Sequence, residues 1–176
     1  MKRALLALLL IPGVAFAGNG PTKFVSASPT CDTSVYATGE LVGGLLTFSG
    51  ALQTNAGTGY VVSVNMVDKA AQGVDFDVVL FGDNPSSTTF TDQVALDIAD
   101  GDLAKVIAVV PLAGTASRFA FSDNSVHFSG SLALPIRTDL TLATRTGTVY
   151  GALVSRGTPT FAASTDVTIV LGISQD

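Results

Sequence analysis

The densest set of candidate ligand atoms in this chain is a run of aspartates, Asp92, Asp97, Asp100 and Asp102, within the segment Thr91 to Leu103. Asp97-Ile98-Ala99-Asp100-Gly101-Asp102 places three carboxylates about a flexible glycine, and a hard cation such as calcium takes several such oxygens. The spacing is not that of an EF-hand loop. The same residues equally describe a solvated acidic loop in which one aspartate caps a brief helical turn. Catalysis has fewer footholds. His127 is the only histidine, set between Val126 and Phe128 in a strand pattern, so a Ser-His-Asp or Cys-His site would have to use it. No Gly-x-Ser-x-Gly elbow is present, and Glu40 is the only glutamate, so a glycosidase pair would need two of the scattered aspartates. The glycines around Gly43 and Gly57 precede strand patterns, whereas a phosphate-cradling loop opens a helix. Cys31 stands alone, so it makes no internal disulfide and no Cys-pair zinc site; it is either a small buried residue or an exposed thiol. On this reading the chain has no assigned catalytic, cofactor or metal residue.

The elements that must position these residues are strands. Leu41 to Phe48 is apolar around a Gly43-Gly44 break, which predicts a bulged strand. In Tyr60 to Val67, Tyr60, Val62, Val64 and Met66 alternate with Val61, Ser63, Asn65 and Val67; Val74, Phe76, Val78 and Leu80 alternate likewise with Asp75, Asp77, Val79 and Phe81. The short connection Asp68 to Gly73 makes an antiparallel hairpin the economical pairing of these two. Turn chemistry from Gly82 to Ser87 opens the longest irregular stretch, running to about Gly101, with at most one helical turn at Ala99 to Leu103. Lys105 to Leu112 is a β-branched run that reads as a central strand with Pro111 near its end. Arg118 to Phe121, Val126 to Leu134, Thr148 to Ser155 and Asp166 to Ile173 complete about eight strands. This is the pattern of an all-β protein, an antiparallel β-sandwich of jelly-roll type. The expected core is Val62, Val64, Phe76, Val78, Leu80, Val106, Ala108, Val149, Leu153, Val167, Ile169 and Leu171.

Composition supports that class and narrows the partners. Apolar residues make up 47% of the chain and charged residues 13%, too little charge for a disordered tail or a solvated coiled coil. The 176 residues amount to one domain. The formal charge is −5, or −7 without Lys2 and Arg3, and no Lys/Arg cluster interleaves with aromatics, which argues against nucleic acid as a partner. Met1-Lys2-Arg3, the apolar run Ala4 to Phe16 and the small-x-small Ala15-Phe16-Ala17 follow the order of a secretory signal, with cleavage after Ala17. The run is shorter than the roughly 20 residues of a membrane span and is interrupted by Pro12-Gly13. The alternative is an uncleaved apolar arm that docks on a neighbouring subunit. The expected organisation is therefore 1–17 as signal or apolar arm, 18–33 as an extended arm, and 34–176 as the β-sandwich.

Thr33-Ser34-Val35-Tyr36-Ala37-Thr38-Gly39-Glu40-Leu41-Val42 is similar to the opening of a widespread group of tailed-phage structural proteins. So are Val67-Asp68-Lys69, the block Phe81 to Asp92, and Ala95 to Asp100. Val154 to Thr160 and Leu171 to Asp176 resemble its C-terminal half, and the likeness spans most of Lys23 to Asp176. Its motifs are turns and strand edges, so it implies a shared fold and virion role and identifies no active site.

What the resemblance implies is a non-enzymatic virion component, a head decoration or cement protein seated on the capsid surface. Its partner would be the major capsid protein or another virion protein, with no small-molecule substrate. Decoration subunits usually occupy local three-fold positions, so it also implies a homotrimer, with the extended arm crossing onto a neighbouring sheet edge. The rival expectation, from the signal-like N-terminus, is an exported bacterial β-sandwich, a surface or adhesion module that is secreted or periplasmic.

Overall fold

A computed structural model describes residues 21–53, 57–137 and 147–175. The signal or apolar arm expected over 1–17 lies outside the described residues. The described chain forms nine strands and one short helix: β1 (Thr22–Ala27), β2 (Leu41–Phe48), β3 (Thr58–Asp68), β4 (Phe76–Phe81), α1 (Asp100–Leu103), β5 (Val106–Leu112), β6 (Arg118–Ala120), β7 (Ser125–Arg137), β8 (Val149–Ser155) and β9 (Val167–Gln175). They make two antiparallel sheets, of order β1-β9-β3-β7-β6 and β2-β8-β4-β5. The all-β sandwich expected from the alternating sequence is what forms.

Side chains from the facing surfaces of both sheets build the main core. Val64, Phe76, Val78, Leu80, Val149, Leu153, Val167, Ile169 and Leu171, all expected inside, are fully buried there. Val62 is not. The β3 register shifts between Val61 and Ser63, against both β7 and β9, and this bulge moves the inward phase by one residue. Val61 therefore fills the core, with Val64 and Met66 beyond it. Val106 and Ala108 are only partly buried, and Val110 and Leu112 take the inner positions of β5.

Three expectations about connectivity are corrected. The β3–β4 pair is not a hairpin: β3 lies between β9 and β7, while β4 lies between β8 and β5 in the other sheet. Asp68 at the end of β3 accepts hydrogen bonds from the Ala70 and Gln72 amides, and Ala71 takes a φ of 52°, so the chain turns out of one sheet and crosses to the other. The Val106–Leu112 run is an edge strand, not a central one, which is where a Pro111 lacking an amide hydrogen is tolerated. Within the segment 18–33, Thr22–Ala27 is not a free arm reaching a neighbour, since it pairs antiparallel with β9 of its own domain from Thr22↔Ser174 to Ala27↔Ile169.

The bulged β2 forms as its glycines indicate, with a register shift between Val42 and Leu46. Gly43 has a φ of +72°, and a Cβ there would stand 2.6 Å from the Pro29 Cβ and 2.8 Å from the Thr30 nitrogen, so only glycine fits.

Candidate functional site

The acidic segment does not assemble into one site. Asp92 Oδ1 accepts from the Tyr36 hydroxyl at 2.9 Å and from the Gly43 amide at 2.6 Å, so it captures the N–H that the β2 bulge releases from the sheet ladder. Tyr36 is itself buried, receives the Asp32 amide on its hydroxyl, and has its ionisation pushed well up, chiefly by burial. Asp102 is sealed from solvent and faces a different loop. Its Oδ2 accepts from the Ser87 amide, the Thr88 amide and the Thr88 hydroxyl, each at 2.8 Å, and its Oδ1 pairs with Lys105 Nζ at 2.8 Å. The Lys105 ammonium, ahead of these donors, holds the Asp102 carboxyl below its ordinary range.

Lys105 Nζ also donates to the Asn84 carbonyl, so one ion pair closes the turn from Asn84 to Thr88 onto α1. The helical turn itself is capped at Ala99 with no side-chain hydrogen bond, so no aspartate caps it, and Asp102, inside the turn, holds the preceding loop instead. Asp97 and Asp100 are exposed. Among the described residues, no three His, Cys, Asp or Glu side chains converge in a way that could hold a metal ion.

A serine, a histidine and an aspartate do meet at one end of the core. The β3–β7 register sets Met66 opposite His127 and Asp68 opposite Ser125, and Asp68, Ser125 and His127 are all fully buried. Their hydrogen bonding is not that of a nucleophile activated by a base. Ser125 Oγ donates directly to Asp68 Oδ2 at 3.4 Å, and neither ring nitrogen of His127 has a hydrogen-bond partner. The imidazole instead stands edge-on to Phe76, centroids 5.8 Å apart. Cys31 is buried, and burial pushes its thiol up to about 12, so it stays protonated and unreactive. This end of the sandwich is a sealed polar plug.

The plug has a pH signature. Burial, then the neighbouring Arg118 charge, holds His127 below the ordinary imidazole value of 6.5, against weaker opposite pulls from the Gln72 backbone and Asp75. The unfolded chain therefore takes up the proton first as pH falls through 6.5. Stability is unaffected by this group above that point and declines below it, toward the folded value. Asp68, raised by burial, works in the opposite sense nearer the carboxylate range, because there the folded state holds its proton more tightly. The urea midpoint is expected to drop between pH 7 and pH 5.5, and to drop less in His127→Phe. Equal drops in both proteins would assign the acid sensitivity elsewhere.

The two sheets differ on their outer faces. The four-stranded sheet is roofed by its own chain: Phe90, Leu96 and Ile98 from the stretch between β4 and α1 pack on Leu41, Val79, Phe81, Ala152 and Val154. That roof explains why the second face of β4, Val79 and Phe81, is apolar in sequence. Comparison with protein-family models, with curated proteins and with solved structures finds no match to this chain.

The five-stranded sheet carries no such roof among the described residues. Phe24 on β1, Phe128 on β7 and Phe119 on β6 stand on its outer face, 65%, 46% and 66% exposed. Adjacent positions across the strands read Phe24, Gly172, Ser63, Gly130 in one row and Thr168, Val67, Val126, Phe119 in another. The Phe128 ring occupies the space a Gly130 side chain would need, and the Phe24 ring lies against Gly172. Sequence reasoning missed this surface, although β7 gave a signal in Val126 and Phe128, apolar residues on the phase opposite the buried His127.

Proposed function

We propose that this chain is a non-enzymatic virion structural protein, a head decoration or cement subunit that binds and stabilises a capsid lattice as a homo-oligomer. One observation carries the reading. Of the segments that resemble tailed-phage proteins, those over 33–42, 81–100 and 154–160 lie far apart in sequence, yet they are joined by hydrogen bonds into one layer beside and over the four-stranded sheet. Those over 67–69 and 171–175 lie at the end of β3 and in β9, in the other sheet. The Tyr36 amide donates to the Pro159 carbonyl, Gly39 to Ser155, Leu96 to Gly39 and Ser155 to Glu40, while Glu40 bridges Ala95. Asp92 ties that layer to the β2 bulge through Tyr36 and Gly43. A likeness confined to scattered turns would have no reason to converge on one surface. Their convergence supports a single structural unit whose role is to present a shaped, rigid face to another protein.

The winding supports the jelly-roll part of the reading. With β6 set aside, β1-β9-β3-β7 faces β2-β8-β4-β5, the order in which an eight-stranded double Greek key rolls up. The acidic charge and Ser/Thr-rich loops suit a capsid or other virion protein as partner, not a nucleic acid.

The second reading, an exported surface or adhesion module, is favoured by the signal-like order of Met1 to Ala17. Particles purified with and without this protein separate the two. The virion reading expects the chain in the particles, and expects particles lacking it to lose infectivity sooner on heating or osmotic shock. A chain absent from particles and recovered from the periplasm with Gly18 as its first residue would establish the second reading instead.

A further inference from the structure

We infer that Arg118 and His127 form an acid-sensitive clasp: a proton taken up by His127 expels the Arg118 guanidinium from its seat and frees β6 and the crossover between β3 and β4, while the two sheets stay packed. The seat is built from backbone. Arg118 Nε donates to the Gly114 carbonyl at 3.1 Å and Nη1 donates to the Ala71 carbonyl at 3.2 Å, with the guanidinium lying against Gly73. One side chain therefore joins β6, the turn that precedes it and the crossover. Asp75 completes the join by accepting the Gly114 amide. The fit has little slack, since a Cβ at Gly114 would stand 2.6 Å from the Gly73 carbonyl oxygen. Beyond this seat, β6 is held by a short ladder to β7, from Arg118↔His127 to Ala120↔Ser125, at the edge of its sheet.

The trigger sits beneath the seat. The register places Arg118 directly opposite His127, so both side chains leave the sheet on its inner face. His127 is sealed from solvent with no hydrogen bond on either ring nitrogen, whereas Arg118 is half-buried and, among the described residues, forms no ion pair. The charged and titratable groups around the imidazole are Arg118 from β6, Asp75 from the crossover and Asp68 from β3; from β4 it meets the Phe76 ring. Both carboxylates are engaged. Asp75 holds Gly114, and Asp68 holds the Ala70 and Gln72 amides and the Ser125 hydroxyl. An imidazolium formed here faces a guanidinium with little water between them. Of the two cations, only the half-buried arginine can reach solvent without opening the core, and its two carbonyl bonds are lost when it does. Asp68, whose hold on a proton is strengthened by burial, opposes the release only nearer the carboxylate range. With β6 released, β7 becomes the sheet edge.

This inference stands apart from the virion reading, because the purified, untagged chain tests it with no particle present. Hydrogen exchange of the Gly114 and Phe128 amides, which donate to Asp75 and to the Ser117 carbonyl, reads the state of the clasp. After correction for intrinsic pH dependence, their opening is expected to rise about eightfold between pH 7 and pH 5.5, the linkage of one imidazole that regains its ordinary value of 6.5 once open. Low concentrations of urea should leave that rise unchanged, the mark of a local opening. In His127→Phe the rise should vanish. Should that variant not fold, the wild type still decides: His127 is the only histidine, so its ring proton signal reports its charge, and it is expected to titrate together with the loss of Phe128 protection. An imidazole that becomes charged while Gly114 and Phe128 stay protected overturns the inference, as does the absence of any rise. So does a rise that His127→Phe retains, or one that the β9 amides share with the same urea dependence, because the whole domain is then unfolding.

Discussion

Ile169→Asp is expected to leave no cooperatively folded protein. Ile169 is fully buried in β9, the strand enclosed between β1 and β3, with Ala27 and Met66 as its cross-strand neighbours. Val167, Leu171 and Ile173 continue the same inward row, and all are sealed from solvent. A carboxylate here has no cation within the apolar cluster and no donor on either neighbour. Its burial unpaired costs several kcal/mol, and even the neutral acid leaves an unsatisfied hydroxyl. Set against a typical stability of about 5–15 kcal/mol, with the lost packing of the isoleucine added, the balance favours the unfolded chain. Circular dichroism should show loss of the strand signal at 25 °C. Ile169→Val, which removes one methylene, should fold and lose only about 0.5–1.5 kcal/mol. A sharp urea transition for Ile169→Asp near the wild-type midpoint would mean that β9 is not the interior strand of the sheet.

Phe76→Ala should cost about 3–5 kcal/mol, the range for deleting a buried aromatic whose surroundings cannot collapse. Phe76 is fully buried at the start of β4, stacks on Phe161 with centroids 6.5 Å apart and planes at 29°, and receives the edge of His127. Both neighbours are anchored on other elements, Phe161 beyond β8 and His127 in β7, so neither moves easily into the void. The void would also have one polar wall. Water entering it can reach the partnerless imidazole, which raises the affinity of His127 for a proton in the folded state. The variant is therefore expected to be less stable at pH 7 and to lose less additional stability between pH 7 and pH 5.5. Equilibrium urea unfolding at the two pH values reads both effects. A loss below about 1 kcal/mol at neutral pH would show that the ring does not fill the space between the sheets.

The eight strands with a side-chain pattern were legible, and the one without it was not. β1 buries a single side chain, Val25, and is held mainly by backbone bonds to β9, so no two-residue period marks it. Backbone pairing is available to any extended segment that reaches an open edge, and the residue types scarcely report it. The same limit explains the misplaced hairpin. A short connection between two alternating segments ordinarily means a hairpin, but the Asp68 carboxylate takes the amides of Ala70 and Gln72 and redirects the chain. For the candidate site, residue types were visible and partners were not. Asp92 and Asp102 stand ten positions apart in one acidic run, yet one binds the β2 bulge and the other the turn after β4.

By itself, the sequence determined the class of structure and most of its strands, because two-residue alternation is a local property and burial of one face follows from it directly. It also determined that charge is sparse and that there is one cysteine and one histidine, too few for a Cys-pair metal site or a His cluster. Tertiary structure alone decided which strands share a sheet, where the β3 bulge shifts the inward phase from Val62 to Val61, and which outer face the chain covers for itself. These are outcomes of contacts between residues distant in the chain. Their energies depend on which backbone edges and apolar faces meet, and strand period carries no record of that choice.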